Sequence, residues 1–304
     1  MEMISYDKNE RVKGATAVAL GNFDGLHIGH QQLIKTMVHE GKKKELKTSV
    51  LLFTTHTKNV INKDKKPNML TSNNQKIELL ESIGVEMIYS MNFNEDIMRL
   101  SPKQFVEDIL IDKLHVKLVV VGFNYRFGYK AKGDSNYLKE LGKELGFEVI
   151  VVEPVYGEEE VISSTLIRKL LREGNIKKAN DFLGRPYEME GKVVAGNKRG
   201  KGLGFPTANL KLDEGYLIPR FGVYKTITMV NGKEYLSLTN VGENPTFNDY
   251  DISVESYILD FNQDIYGEKI SIKFLQFHRE EIKFNKKEEL IDQMLKDVDN
   301  IKNN

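Results

Sequence analysis

Along the first half of the chain, short apolar runs alternate with stretches of helical period. Thr16–Leu20, Ser49–Phe53, Glu86–Ser90, Leu118–Val121 and Glu148–Val152 read as strands. Each is apolar almost throughout, as expected where both faces of a parallel sheet are covered. Ser101-Pro102-Lys103-Gln104 has the form of a capping box with Pro at the first helical position, ahead of Phe105-Val106 and Ile109-Leu110. The alternation predicts a doubly wound α/β domain with its ligands beyond the carboxyl ends of the strands.

The pattern changes near residue 185. From Gly191 onward, strands follow one another with few helices between them. Tyr224–Val230 and Lys233–Thr239 flank Asn231-Gly232, a strong hairpin signal. Ser253–Asp260 and Ile270–Phe277 are further strands. A last helix over about Lys286 to Lys296 carries Leu290, Ile291, Met294 and Leu295 on one face. Five or six antiparallel strands with a terminal helix predict a small closed barrel. The junction falls at Leu183-Gly184-Arg185-Pro186-Tyr187, giving domains over 1–182 and 183–304.

Composition narrows the function. Lys+Arg and Asp+Glu are both 44 in 304 residues, with no long basic block, which argues against a dedicated nucleic-acid binder. Cysteine is absent, so thiol nucleophiles, disulfides and thiolate metal sites are excluded. The first residues are too polar for a signal peptide, and no stretch has the length of a membrane span. The expectation is a cytoplasmic protein acting on small molecules, with no nucleic-acid or membrane partner and its oligomeric state open.

Four segments carry chemistry. Gly21-Asn22-Phe23-Asp24-Gly25-Leu26-His27-Ile28-Gly29-His30 follows the first predicted strand and opens a helix. Glycines let the backbone approach an anion, and the first N–H groups of a helix point at it. His27 and His30 share one face of the first turn. Metal ligation by the histidines is the alternative, but no carboxylate cluster completes a zinc set. Ile162-Ser163-Ser164-Thr165-Leu166-Ile167-Arg168 opens another helix. Capping alone accounts for one hydroxyl, and a second phosphate clamp ending in bidentate Arg168 accounts for all three. Gly122–Gly128 offers Phe123, Tyr125 and Phe127 for stacking and Asn124 for a ring edge. Gly200–Asn209 contains Gly202, Gly204 and then Pro206-Thr207-Ala208-Asn209. In an extended chain Thr207 and Asn209 share a face, with oxygens suited to Mg²⁺ carrying ATP. Glu255 stands on an otherwise apolar and aromatic strand face, either as an edge charge or as a base.

Read together, these strings resemble the prokaryotic bifunctional riboflavin kinase/FAD synthetase family. The His-x-Gly-His segment resembles nucleotidyltransferases, Ile162–Arg168 matches the family's Ile-Ser-Ser-Thr-x-x-Arg, and Pro206–Asn209 matches the riboflavin kinase motif. Leu70-Thr71, Lys76–Gly84 and Val241–Phe247 fit as well. Residues 53–57, Phe-Thr-Thr-His-Thr, depart from the family's usual Phe-Glu-Pro-His-Pro but retain His56.

The resemblance implies a nucleotidyltransferase-like, Rossmann-like domain that adenylylates FMN to FAD, followed by a barrel that phosphorylates riboflavin to FMN. ATP, riboflavin and FMN are the implied substrates, with Mg²⁺. In the first half it assigns His27 and His30 as catalytic residues, Gly21, Asn22, Phe23, Ser163, Ser164, Thr165 and Arg168 to ATP and its phosphates, and Asn124 and His56 to flavin. In the second it assigns Gly202, Gly204, Thr207 and Asn209 to Mg-ATP, Glu255 as base and Arg279 to flavin. A transferase for another phosphorylated acceptor would explain residues 21–30 but not the second half. A non-catalytic flavin or nucleotide sensor would not need to keep these reactive groups.

Overall fold

The computed structural model describes residues 1–8, 10–53, 68–195, 204–212, 215–245 and 250–303. Those residues form two compact units, Met1–Ser164 and Thr165–Asn304.

The first unit is built on a six-stranded parallel sheet in the order β1-β4-β3-β2-β5-β8. The strands are β1 (Glu2–Ser5), β2 (Thr16–Leu20), β3 (Lys47–Phe53), β4 (Met87–Met91), β5 (Val116–Gly122) and β8 (Glu148–Val152). The five expected strands are all present. β1 escaped the pattern because only two of its four residues, Met3 and Ile4, are apolar. Helices α1 (Ile28–Lys43), α2 (Asn73–Ile83) and α3 (Ser135–Leu145) make crossovers. The capping box at Ser101 forms as read, and the helix then widens to π geometry over Phe105–Ile111. One hydrophobic cluster covers each face of the sheet: Val18, Leu20, Val119 and Val121 belong to one, and Ala17, Ala19, Leu118 and Val120 to the other. That explains the continuous apolar runs. A small hairpin of β6 (Arg126–Phe127) and β7 (Gly133–Asp134) follows β5.

The chain runs from β2 outward through β3 to β4, then returns to place β5 on the other side of β2. Leu20 pairs with Val121 at this reversal. In open α/β sheets the crevice at such a switch point, beyond the carboxyl ends of the strands, is where ligands bind.

The second unit is a closed antiparallel barrel in the order β10-β13-β12-β11-β14-β9. Its strands are β9 (Tyr187–Val194), β10 (Thr207–Leu212), β11 (Gly222–Val230), β12 (Lys233–Pro245), β13 (Tyr250–Ile258) and β14 (Lys269–Arg279). The hairpin falls at Asn231-Gly232, both with positive φ, and Val230 pairs with Lys233. Alternation along β11 turns Thr226 and Thr228 inward, where they meet Ser237 and Thr239 of β12 and Ser256 of β13. All five are fully buried and hydrogen-bonded to one another at 2.8–3.1 Å.

Helices α4 (Ser164–Glu173), apart from its first residue, and α5 (Ile176–Leu183) belong to the barrel unit. Asn180 of α5 donates to the Phe274 carbonyl at 2.8 Å and accepts from the Tyr187 N–H at 2.8 Å. The last helix, α6 (Lys287–Asn303), runs beyond the expected Lys296. Its buried face also differs. Leu295 is 56% exposed, whereas Asp297 and Ile301 are buried. The two buried residues lie four apart and so on one face, and Leu295 falls outside it.

Candidate functional sites in the two units

In the first unit, β2 ends at Leu20 and the chain turns sharply before α1. Phe23 and Leu26 both take positive φ, 46° and 40°, and both are fully buried. Such conformations persist only where the surroundings impose them, and they concentrate at functional sites. Here the aromatic ring of Phe23 packs edge-on to His30 at 5.4 Å. Two further ties hold the turn. The Asp24 carboxylate accepts the Leu70 N–H at 3.0 Å, and the Asp24 carbonyl accepts the Ser164 hydroxyl at 2.8 Å.

His27 is the N-cap of α1, and its Nδ1 accepts the His30 N–H at 3.4 Å. With Nδ1 as acceptor, a neutral His27 carries its proton on Nε2. The two imidazoles stack with centroids 3.7 Å apart and planes 20° from parallel. The expected pairing of His27 and His30 is present. Gly29 lies against this stack, where a Cβ would come within 3.2 Å of the His27 ring.

Burial, reinforced by the nearby His27 and Lys76, pushes His30 well below its ordinary 6.5. It is neutral at pH 7, a hydrogen-bonding group rather than a cation, and its buried Nδ1 has no hydrogen-bond partner among the described residues. Sequence reasoning missed Asp24 and Lys76, which are 2% and 4% exposed. Asp24 was legible only as one more loop acid, and Lys76 as one more helix lysine.

The other first-unit residues are spread around the same end of the sheet. Gly21 and Asn22 lead out of β2, and Asn124 lies exposed just beyond β5, the neighbouring strand. Of the expected aromatics, Phe127 is core and Phe123 is 42% exposed. Ser163 immediately precedes α4. The Ser164 hydroxyl is committed to the Asp24 carbonyl, so it braces the turn. Thr165 is exposed and Arg168 half-buried on α4 in the second unit. His56 and the altered 53–57 loop beyond Phe53 lie outside the described residues.

In the barrel, Thr207 and Asn209 are half-buried with Ala208 buried between them, so both project to one face. Asn209 pairs in register with Glu255 of β13, and Thr207 pairs with Tyr257. The Glu255 carboxylate accepts the Thr207 hydroxyl at 3.3 Å through Oε2 and the Ser253 hydroxyl at 3.0 Å through Oε1. Three residues separated by up to 48 positions thus meet across two adjacent strands. Ser253 was not singled out from sequence, since it reads as an ordinary strand serine. Gly204 has φ +84° and open space at its Cβ position, so conformation rather than packing requires glycine there. Gly202, the rest of 200–203, Thr246 and Phe247 lie outside the described residues.

Arg279 is engaged within the protein. Its Nε and Nη2 donate to the fully buried Asp297 at 2.9 and 2.6 Å, and Nη1 donates to the Glu280 carbonyl at 2.8 Å. Gln293 donates to the same carboxylate at 2.8 Å, and His278 lies 3.1 Å from it. Burial alone would raise Asp297, but the hydrogen bonds from Arg279, Gln293 and His278, with the guanidinium charge, hold it below the ordinary carboxylate value. A flavin would meet this guanidinium only in exchange for these bonds.

Among the described residues, no group of three or more His, Cys, Asp or Glu could hold a metal. The barrel site instead offers the hydroxyl and amide oxygens of Thr207 and Asn209 beside Glu255. This hard-oxygen set suits Mg²⁺, which takes few protein ligands and keeps substrate phosphates in its shell. No described helix is long and apolar enough to cross a membrane.

The FAD synthetase family model matches residues 9–166, and the riboflavin kinase model matches residues 183–304. A bifunctional riboflavin kinase/FMN adenylyltransferase of Listeria monocytogenes is 43% identical over 92% of this chain and 89% of its own. The Bacillus subtilis protein of the same name is 38% identical over 95% and 92%. A crystal structure described as a macrolide-efflux protein from Streptococcus pneumoniae has 33% identity and a TM-score of 0.91, covering 100% of this chain and 99% of that one. With both family models in order along it and relatives this similar over nearly its whole length, the chain belongs to the bifunctional riboflavin kinase/FMN adenylyltransferase family.

Proposed function

We infer that the chain makes FAD from riboflavin in two steps, one per unit. The observation that carries this is the presence of two separate constellations: stacked His27 and His30 at the switch point of the sheet, and Thr207, Asn209 and Glu255 on the barrel.

At the barrel, Glu255 takes the proton from the ribityl 5′-hydroxyl of riboflavin. That oxygen forms a bond to the γ-phosphorus of ATP as the bond to the β-phosphate oxygen breaks, giving FMN and ADP. Thr207 and Ser253 hold one carboxylate oxygen each, so Glu255 is aimed before substrate arrives. Thr207 and Asn209 would hold Mg²⁺ with the ATP phosphates, and the ion would supply charge neutralisation there. Arg279 acts by fixing α6 through Asp297.

In the first unit, a phosphate oxygen of FMN bonds to the α-phosphorus of a second ATP, and the bond to the β-phosphate oxygen breaks. The products are FAD and pyrophosphate. The nucleophile is already ionised at neutral pH, so positioning and electrostatics suffice. The α1 N-terminus and His27 Nε2–H are the donors at the α-phosphate, with His30 packed behind. By resemblance the Ile162–Arg168 string is assigned to ATP phosphate, and Asn124 and His56 to the flavin ring. The substrates are small molecules and the setting is cytoplasmic.

Separating the activities tests this. Glu255→Gln is expected to lower FMN formation by ~10²-fold or more while supplied FMN is still adenylylated. His30→Ala removes the ring stacked on His27 and so its positioning, and is expected to lower FAD formation by ~10²-fold and to accumulate FMN from riboflavin. Equal loss of both activities in either variant would contradict two independent centres.

A further inference from the structure

The outer face of the barrel around Glu255 holds more than the residues that aim it. Thr239 and Ser256 point into the barrel and are fully buried, so their chain neighbours Asn240 and Glu255 project outward. Asn240 of β12 pairs in register with Glu255 of β13, which pairs on its other side with Asn209 of β10. Paired side chains on one sheet face are about 5 Å apart at Cβ, so Glu255 stands between two amides. In the next row along the strands, Leu238 pairs with Tyr257, and both pack with Val298 and Ile301 of α6. In the row on the opposite side, Gly242 pairs with Ser253.

Asn240 is fixed by a residue from outside the sheet. Its Nδ2 donates to Glu281 Oε1 at 3.1 Å, and Glu281 lies in the connection between β14 and α6. A carboxylate only accepts, so the nitrogen of the Asn240 amide is the atom turned to Glu281. Gly242 makes room for that carboxylate: a Cβ there would overlap Oε1 and come within 2.9 Å of Cδ. Gly242 has no positive φ, so it is packing that calls for glycine. Among the described residues, Asn240 Oδ1 accepts no hydrogen bond and Glu281 has no cationic partner. The amide is thus held by its nitrogen beside the catalytic carboxylate, with its oxygen open.

Asn240 lies on the acceptor side of Glu255. Thr207 and Asn209 of β10 are the residues proposed for Mg-ATP. In phosphoryl transfer the attacking hydroxyl and the leaving group stand roughly in line, on opposite sides of the γ-phosphorus. The rest of the acceptor then extends away from β10, over β12. A ribityl chain carries hydroxyls on consecutive carbons, so with its 5′-hydroxyl at Glu255 the secondary hydroxyls run past Asn240.

We propose that Asn240, oriented by Glu281 in the niche over Gly242, determines acceptor specificity at the kinase site: its Oδ1 accepts a hydrogen bond from a secondary hydroxyl of the ribityl chain and so selects flavins with a polyol side chain. Asn240 takes no part in proton transfer. Glu281 is a positioning residue that acts through Asn240. The inference rests on the assignment of riboflavin phosphorylation to the Glu255 site.

The test compares two acceptors on the full chain with Mg-ATP. One is riboflavin. The other is a flavin with a 5-hydroxypentyl chain at N10, which keeps the terminal hydroxyl and lacks the secondary ones. Asn240→Ala is expected to lower kcat/KM for riboflavin by ~10-fold, the scale of one hydrogen bond, and to leave the hydroxypentyl flavin unchanged. Gly242→Ala, which pushes the Glu281 carboxylate away and leaves Asn240 in place, is expected to lower it by a smaller factor, again with no effect on the analogue. Dissociation constants of the two flavins, read by flavin fluorescence, should follow the same pattern. An asparagine with a merely structural role would weaken both acceptors alike. That result, or unchanged riboflavin kinetics and binding in Asn240→Ala, overturns the proposal. If Asn240→Ala does not fold, Gly242→Ala decides by the same comparison, and failure of both to fold overturns it equally. Glu255→Gln separates this inference from the one beneath it. Parental FMN formation in Glu255→Gln removes the Glu255 site itself, whereas a slow Glu255→Gln beside an Asn240→Ala that treats the two acceptors alike removes only the role of Asn240.

Discussion

Replacing Asp297 by Ala isolates the anchor of the C-terminal helix. The carboxylate is fully buried and receives Arg279 through two nitrogens, Gln293 and the contact from His278. Removing one partner of a buried ion pair costs ~3–5 kcal/mol, because the other charge is left uncompensated. Here the stranded group is Arg279, whose side chain is 17% exposed and retains its bond to the Glu280 carbonyl. Partial access to water places the cost near the lower end, about 3 kcal/mol. With unfolding entropy of roughly 2.1 cal/mol/K per residue, a unit the size of Thr165–Asn304 should melt about 10 °C lower. Scanning calorimetry on the whole chain reads this as a downward shift of one transition, with the transition of the Met1–Ser164 unit in place. The pH dependence has a definite sign. Asp297 is held below its unfolded value, so its contribution is present above about pH 4 and is lost as pH falls through the lower folded value. The variant and parent should therefore converge in stability in strong acid. A shift smaller than about 3 °C at pH 7, or a difference that persists undiminished at low pH, would refute this account of how α6 is held.

Two further outcomes follow from the fold. A fragment beginning at Leu183 lacks Asn180 and its bonds to Phe274 and Tyr187, so it should melt lower than a fragment beginning at Thr165, measured by circular dichroism; equal melting temperatures would mean that α4 and α5 contribute nothing to the barrel. Gly191→Ala would place a Cβ 2.5 Å from the Lys211 carbonyl oxygen, forcing β9 and β10 apart; a loss of roughly 1–3 kcal/mol in denaturant unfolding is expected, and an unchanged midpoint would show that the strands accommodate it.

The strands were legible where periodicity and burial agree. β2 is bounded as its apolar run is, because all five of its residues are buried in a sheet covered on both faces. β1 was not, because only Met3 and Ile4 of its four residues are apolar, too short a run to read as a strand, whereas the other edge strand, β8, carries four apolar residues in a row. Leu295 was placed on the wrong face because apolar character was taken to define it, whereas an acid, Asp297, holds the seam. The contrast is repeated at the sites. His27, His30, Thr207 and Asn209 announce themselves by close spacing within a string. Ser253 and Lys76 do not, since what distinguishes them is a neighbour brought from another strand or a burial that only the fold creates.

The hydroxyl cluster inside the barrel constrains how this sequence can change over generations. Thr226, Thr228, Ser237, Thr239 and Ser256 are fully buried and satisfy one another. Converting one of them to valine strands the partners it served, whereas converting contacting members together removes donor and acceptor at once and is far milder. These positions on three strands should therefore drift as a correlated set: lineages that turn one aliphatic turn its contacts aliphatic as well.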